Sequence, residues 1–282
     1  MARLLDLSRA HAQFRASAPL VQAITNTVVQ QFSANVLLAM GASPAMLDHE
    51  ADAAQFARMA DALLINFGTA TNQQLLAADV AMDAAARAGT PWVLDPVSAG
   101  AGDFRTTKIR QTVARCPSVV RGNASEVLVL ADMGTGGRGV DAVDEVETAL
   151  PAAMALAQRT AGVVAVSGRS DAVIAVFGNR ARIARVEGGH PLMTRVVGTG
   201  CALGAAVAAY LGAAARENRS LDAYFAATVA AHAHFALAGN LASQRAAAPG
   251  SFAVAFLDAL YELKAEDFAR AQVQVQIRSL AA

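Results

Sequence analysis

Gly89-Thr90-Pro91-Trp92-Val93-Leu94-Asp95-Pro96-Val97 is the stretch that decides the fold class. It follows Asn72 to Ala88, which has helical character, with Asn72 read as its N-cap. Glycine then Thr-Pro is a helix stop, because glycine takes the left-handed turn and proline cannot continue the helix. Trp92-Val93-Leu94 is a continuous apolar run, as expected of a strand buried on both faces, and it ends on an acid. Outward from this unit the same alternation recurs. Candidate strands are Leu63-Leu64-Ile65, Ser118-Val119-Val120 and Gly162-Val163-Val164-Ala165-Val166. Candidate helices are Asn35 to Met40, Ala53 to Asp61, Thr106 to Ala114 and Val143 to Arg159. Strands alternating with helices predict an α/β fold with a mostly parallel central sheet flanked by helices.

After Val166 the pattern changes. Ala172 to Phe177 and Arg182 to Val186 read as a hairpin turning at Gly178-Asn179. The remainder reads as a helical C-terminal part: Cys201 to Ala215, Leu221 to Ala242, and Phe252 to Leu263 after the breaker Pro249-Gly250. Without a fixed-period repeat or a Pro- or Ser-rich linker, residues 1–282 read as a single domain.

Composition excludes several classes. The 282 residues carry 23 basic and 23 acidic side chains, with 55% hydrophobic, 5% aromatic and 16% charged residues. So apolar a chain is not disordered. Zero net charge, with Lys108 and Lys264 the only lysines, argues against a nucleic-acid platform or a basic membrane-surface protein. Two cysteines, Cys116 and Cys201, make no disulfide framework and no C-x-x-C pair, which fits a reducing cytosol and a cytoplasmic protein. The charged N-terminus lacks the apolar stretch of a signal peptide. Val196 to Ala215 is uncharged and near spanning length, but it is rich in Ala and Gly and opens on a turn, so it reads as a buried helix and not a membrane span.

Three motifs carry candidate chemistry. Gly198-Thr199-Gly200-Cys201 places glycines just before a helix, where backbone N–H groups and the helix dipole receive an anion. Cys201 in that first turn is expected to have a lowered thiol pKa; the alternative is a small core residue in a Gly-rich turn. Leu94-Asp95-Pro96-Val97 and Arg121-Gly122-Asn123-Ala124-Ser125-Glu126 put carboxylates at strand ends, where open α/β sheets bind ligands. Asp95 and Glu126 suit hydrated Mg²⁺ and nucleotide phosphates. The structural alternatives are a turn cap for Asp95 and a capping box with Asn123 for Glu126. Gly134 to Gly139 matches G-x-G-x-x-G but follows a helix (Ser125 to Leu130), so it reads as a loop. His11, His49, His190, His232 and His234 lack H-E-x-x-H spacing and read as structural or peripheral, and no G-x-S-x-G elbow is present.

Ala23-Ile24-Thr25-Asn26, Gly41 to Met46, Ile65-Asn66-Phe67-Gly68-Thr69, Leu94 to Ala101, Arg121 to Glu126 and Gly139-Val140-Asp141 occur in one order along the chain. They continue through Gly189 to Thr194, Gly198 to Cys201, Pro249 to Phe252 and Phe256 to Tyr261. Together these blocks resemble the hydroxyethylthiazole kinase family over nearly the whole chain. The resemblance implies a ribokinase-like fold and phosphorylation of the primary alcohol of 4-methyl-5-(2-hydroxyethyl)thiazole by Mg-ATP, in thiamine salvage. It implies Met46, Gly198 and Asn26 as substrate-binding and Arg121, Ser167, Thr199 and Gly200 as ATP-binding residues. Asp95 and Glu126 would act through Mg²⁺, and Cys201 would take the place of the Asp base of ribokinase-like relatives. It further implies a homotrimer with the thiazole site between subunits. The chain departs from the family pattern at Ser167-Gly168-Arg169-Ser170-Asp171, where Thr-Gly-Glu and an acid are expected, and at Gln22-Ala23, where His-Asn is common. Two other readings stay open: a kinase of this fold acting on another heterocyclic alcohol such as a pyrimidine, and a non-catalytic thiazole- or nucleotide-binding protein.

Overall fold

A computed structural model describes residues 5–134 and 145–280. The four strands expected around 63–65, 92–94, 118–120 and 162–166 are present and pair in parallel, in chain order. Strands β1 (Leu20–Ile24), β2 (Ser43–Ala45), β3 (Ala62–Asn66), β4 (Trp92–Asp95), β5 (Val119–Asn123), β6 (Val163–Ser167), β7 (Asp171–Phe177), β8 (Arg180–Glu187) and β9 (Gln272–Ser279) form one sheet. Its order is β2-β1-β3-β4-β5-β6-β7-β8-β9. The pairings from β2 to β6 are parallel, and those from β6 to β9 are antiparallel. The hairpin β7–β8 turns at Gly178, whose φ of +60° suits glycine.

Helices cover both faces. On one lie α1 (Leu7–Ser17), α2 (Gln30–Met40), α8 (Thr199–Ala215), α9 (Leu221–Ser243) and α10 (Pro249–Glu262), packed into one apolar cluster with the sheet. On the other, α3 (Glu50–Met59), α4 (Asn72–Ala88), α5 (Asp103–Val113), α6 (Ala124–Leu130) and α7 (Glu145–Thr160) form a second cluster. Helix α8 is buried along almost its whole length, which its Ala and Gly content allows, since small side chains let a helix backbone approach a sheet closely. Among the described residues, no helix is long and apolar enough to cross a membrane.

Some expectations are corrected. The part after the hairpin is not wholly helical, because Gln272–Ser279 adds strand β9 at the sheet edge. Its Gln-Val alternation has the period of two that a strand requires. Strands β1 and β2 and helix α1 also escaped the reading. The cap of α4 is Thr71, not Asn72: the Thr71 hydroxyl accepts from Gln74 N and Gln74 Oε1 accepts from Thr71 N. The stop at Gly89 stands, with φ +70°. Most of the Gly134–Gly139 motif, and Gly139-Val140-Asp141, lie outside the described residues.

A histidine cluster in the first core is expected to make the fold sensitive to acid. His11 stacks on the Phe268 ring with centroids 4.5 Å apart and meets His234 edge-on at 5.1 Å. His234 bonds Tyr210 Oη (3.0 Å) and donates Nε2–H to Leu260 O (3.1 Å), so its Nδ1 accepts from the tyrosine. Burial, reinforced by Arg15, lowers the His11 pKa to about 4. Burial, with His11 beside it, lowers that of His234 to about 3. Both rings are neutral when folded but protonate near pH 6.5 when unfolded, so the unfolded state binds more protons as pH falls below that value. Stability is expected to fall by about 2 kcal/mol for His11 alone between pH 7 and pH 5, read as a drop in the urea midpoint. His11→Phe should remove the His11 share and leave that of His234, and the fold should tolerate it, because neither His11 nitrogen has a hydrogen-bond partner to lose.

Candidate active site

The parallel strands end together, and the polar residues of the site stand on those ends. Asn66 closes β3, Asp95 closes β4 as its register partner, Arg121 lies in β5, and Ser167 closes β6. Asn26 follows β1 two residues beyond Ile24. Met46 follows β2, one strand further out, and is half-buried against the first core. From the helical face, the start of α8 brings Gly198, Thr199, Gly200 and Cys201 to the same end of the sheet.

Asp95 is the centre. It is fully buried, its Oδ2 accepts from Asn66 Nδ2 at 2.9 Å and lies 3.8 Å from Arg121 Nη1, and its Oδ1 has no partner. Burial pushes its pKa up to about 7, against the pull of Arg121; Glu126 adds to the rise and the Asn66 hydrogen bond opposes it. Arg121 spans the site, donating from Nε and Nη2 to Ser167 Oγ at 3.2 and 2.8 Å while Nη1 faces Asp95. A Cβ on Gly200 would stand 3.4 Å from Arg121 Nη1, so the helix start and the guanidinium are in contact range.

Glu126 is the capping partner that its spacing suggests and more. Its Oε2 accepts from Asn123 N (2.8 Å), its Oε1 from Ser98 N (2.9 Å), and its own N–H bonds Asn123 Oδ1 (2.8 Å). One carboxylate thereby ties the loops after β4 and β5 together. Each oxygen carries a single N–H, leaving a lone pair for a cation.

Gly198 has φ +93°, and a Cβ there would meet Val29 Cγ1 at 2.8 Å and Phe32 at 3.2 Å, so both backbone and space demand glycine. The Thr199 hydroxyl is turned away from the strand ends and bonds Val196 O (2.7 Å) and Met193 O (2.8 Å). Among the described residues, the backbone N–H groups of Gly200 and Cys201 have no partner, which leaves them as the anion-binding donors of this helix start.

The expected lowering of the Cys201 pKa is corrected. Burial raises it, the Asp95 carboxylate adds to the rise, and the nearby Asn66 and Asn26 amides with the charge of Arg121 only partly offset this. The helix start favours a thiolate, but desolvation and a nearby carboxylate outweigh it. Asn26, 4% exposed, donates from Nδ2 to Cys201 Sγ (3.4 Å) and to Asn66 Oδ1 (2.9 Å).

Sequence reasoning assigned no role to Asn66, although a polar residue ending an apolar strand is the same signal that singled out Asp95. It also missed how the loop after β6 is held. Asp171 Oδ1 accepts from Gly168 N (2.9 Å), and Asp171 Oδ2 meets His232 Nδ1 (2.7 Å), so a buried histidine of α9 steadies the loop beside Ser167. Arg169 in that loop is exposed and forms no ion pair among the described residues. Gln22 bonds Ala53 O (3.2 Å) toward α3, away from the site residues.

A carboxylate, an arginine and a helix N-terminus converge at the ends of parallel strands, an arrangement that suits phosphoryl transfer and fits a small-molecule kinase of the ribokinase-like class. Comparison with known proteins narrows this. The model of the hydroxyethylthiazole kinase family matches residues 11–266, and the chain belongs to that family. It is 51% identical over 252 residues to the hydroxyethylthiazole kinase of Corynebacterium glutamicum (strain R), covering 89% of this chain and 91% of that one. It is 49% identical over 272 residues to that of Kineococcus radiotolerans, covering 96% and 94%. The solved hydroxyethylthiazole kinase protein of Pyrococcus horikoshii OT3 superposes with a TM-score of 0.82 at 34% identity, covering 97% of this chain and 99% of that one. The pyridoxal kinase of Staphylococcus aureus, solved with AMP-PCP and pyridoxal, shares the fold at a TM-score of 0.56 and 13% identity, covering 92% and 99%.

Proposed function

We propose that this protein transfers the γ-phosphoryl group of ATP to the primary hydroxyl of 4-methyl-5-(2-hydroxyethyl)thiazole, giving the phosphate used in thiamine salvage. The observation that carries the reading is the meeting of Asp95, Arg121 and the α8 start with Cys201 at the strand ends, in a chain of this family. Arg121 and Ser167 bind nucleotide phosphate, the guanidinium being held in place by the serine hydroxyl. The Gly200 and Cys201 amides receive the transferring group, with Thr199 locking the turn. Gly198, Met46 and Asn26 line the thiazole pocket.

The residues fit Mg²⁺. Asp95 offers an unpartnered buried oxygen, Glu126 has a lone pair free on each oxygen, and the two carboxylates are close enough for one to raise the pKa of the other. Oxygen ligands suit this hard cation, which keeps several waters and takes others from phosphate. No cluster of three or more Asp, Glu, His or Cys side chains occurs among the described residues, in keeping with a cation held through water and substrate. When bound, the ion would neutralise charge building on the phosphates.

Cys201 orients the alcohol and finally takes its proton. Only the thiolate form can take that proton; a raised pKa keeps this form scarce but makes it the stronger base, and loose phosphoryl transfer needs little deprotonation before the transition state, with positioning supplying most of the acceleration. Cys201→Ser is expected to lower kcat roughly ten- to a hundredfold with little change in KM, and Cys201→Asp to keep or raise it. Full activity in the serine variant with no gain in the aspartate variant would end the base role.

A homotrimer with sites between subunits is part of this reading. Val28 and Leu38 of the α2 region, Val197 at the α8 start, and Val254 and Tyr261 on α10 are exposed apolar side chains on elements that pack together beside Gly198. We read residues 1–282 as one domain and the protein as cytoplasmic. Phosphate transfer to thiazole alcohol, pyrimidine alcohol and pyridoxal, assayed in parallel, tests the substrate assignment. A preference for either of the latter two would replace it.

A further inference from the structure

Four polar side chains form a line of hydrogen bonds across the ends of β1, β3 and β4. Cys201 Sγ accepts from Asn26 Nδ2 (3.4 Å), the same nitrogen donates to Asn66 Oδ1 (2.9 Å), and Asn66 Nδ2 donates to Asp95 Oδ2 (2.9 Å). The direction of each amide follows from one fixed point. Gly68 N–H donates to Asn66 Oδ1 at 2.9 Å, and a backbone N–H can only donate, so that corner of Asn66 is its oxygen. The nitrogen of Asn66 then faces Asp95, whose carboxylate accepts. Asn26 must in turn offer its nitrogen to Asn66 Oδ1, and the second hydrogen on that nitrogen reaches the sulfur. The line is tightly enclosed. Both asparagines are buried, and a Cβ on Gly68 would stand 2.6 Å from Asn26 Nδ2.

We propose that Asn66 is a positioning residue for phosphoryl transfer: by setting the polarity of the Asn26 amide it keeps the Cys201 sulfur a hydrogen-bond acceptor while holding Asp95 at its other end. A sulfur that accepts from Asn26 carries its own hydrogen elsewhere or carries none, and a thiolate is favoured by that bond. In its thiolate form the sulfur takes the alcohol proton as the new O–P bond forms, and becomes the neutral thiol. The bond from the γ-phosphorus to the bridging oxygen breaks, and its electron pair leaves with ADP. Asn26 Oδ1 takes no hydrogen bond among the described residues, so it remains as an acceptor for the alcohol itself. The inference rests on the reading of Cys201 as the proton acceptor.

The test is Asn66→Leu in a Cys116→Ser background, which removes the exposed second thiol so that iodoacetamide reports on Cys201 alone. The expected result is alkylation of Cys201 slowed about threefold or more at pH 8, kcat lowered roughly ten- to a hundredfold, and KM for the thiazole alcohol changed by less than about threefold. If the leucine variant does not fold, Asn66→Thr, which keeps a hydroxyl near Gly68 N–H and removes the amide nitrogen, carries the same readouts. Unchanged alkylation in a folded variant overturns the proposal, even where kcat falls, because Asn66 would then act on Asp95 alone. Slowed alkylation with unchanged kcat overturns it differently: the sulfur would be positioned but not used, an outcome that full activity in Cys201→Ser would share.

Discussion

Asp95→Asn should lower kcat/KM for the thiazole alcohol by about a thousandfold, measured by ADP release, with the melting temperature nearly unchanged. The size of the effect follows from what the site lacks. Among the described residues Asp95 and Glu126 have no third acidic or imidazole side chain clustered with them, so on the proposed reading half of the protein's charge for Mg²⁺ would be removed at once. Asparagine keeps the shape and an oxygen for Asn66 Nδ2, so the local packing survives. Asp95→Ala is a poorer test, because it would leave the buried Arg121 guanidinium facing a cavity, at a cost of several kcal/mol to the fold itself. Loss of activity in the asparagine variant should come with loss of the Mg²⁺ dependence of nucleotide binding, which titration calorimetry reads directly. Activity within tenfold of the parent would remove Asp95 from the centre of the site.

The second large effect is expected for Arg121→Lys. The charge is conserved, yet kcat/KM for ATP should fall about a hundredfold while KM for the thiazole alcohol moves little. Arg121 uses two nitrogens on Ser167 Oγ and a third toward Asp95, and it lies against the Gly200 backbone. A lysine ammonium is a single point and cannot hold the serine and the carboxylate while presenting N–H groups to a phosphate. Steady-state kinetics with either substrate varied would separate this from a general loss of fold. An unchanged ATP dependence would mean that the nucleotide lies elsewhere.

The parallel half of the sheet was legible wherever burial leaves an unbroken apolar run, as in Trp92 to Leu94 and Val163 to Val166. Strand β1 escaped because Gln22 interrupts its run, although that side chain is buried and bonded to Ala53 O. Strand β2 has three residues, one of them Pro44 at the sheet edge, and so gives almost no pattern. Strand β9 is an exposed edge whose glutamines hide its alternation among polar residues. Within the site, Gly198, Asp95 and Arg121 could be located from local pattern alone. Asn66 could not be given a role, since its partners lie 29 and 40 residues away in the chain. The direction of the Cys201 shift failed for a related reason: a helix start is visible in four residues, whereas desolvation depends on everything packed around them.

Gly204 sits one turn after Cys201 in helix α8, and a Cβ there would lie 3.1 Å from Asp95 Oδ2 and 3.4 Å from Leu64 Cδ1. Near the other end of the helix, a Cβ on Gly212 would come within 2.8 Å of Asp61. Glycine inside a helix costs about 1 kcal/mol relative to alanine, so the chain gives up some helix stability at each place. In return the thiol and the carboxylate are set at one depth by clearance between a helix and a sheet, with no flexible side chain acting as the gauge. The spacing of α8 from the Asp95 carboxylate is therefore governed by methyl groups that are missing.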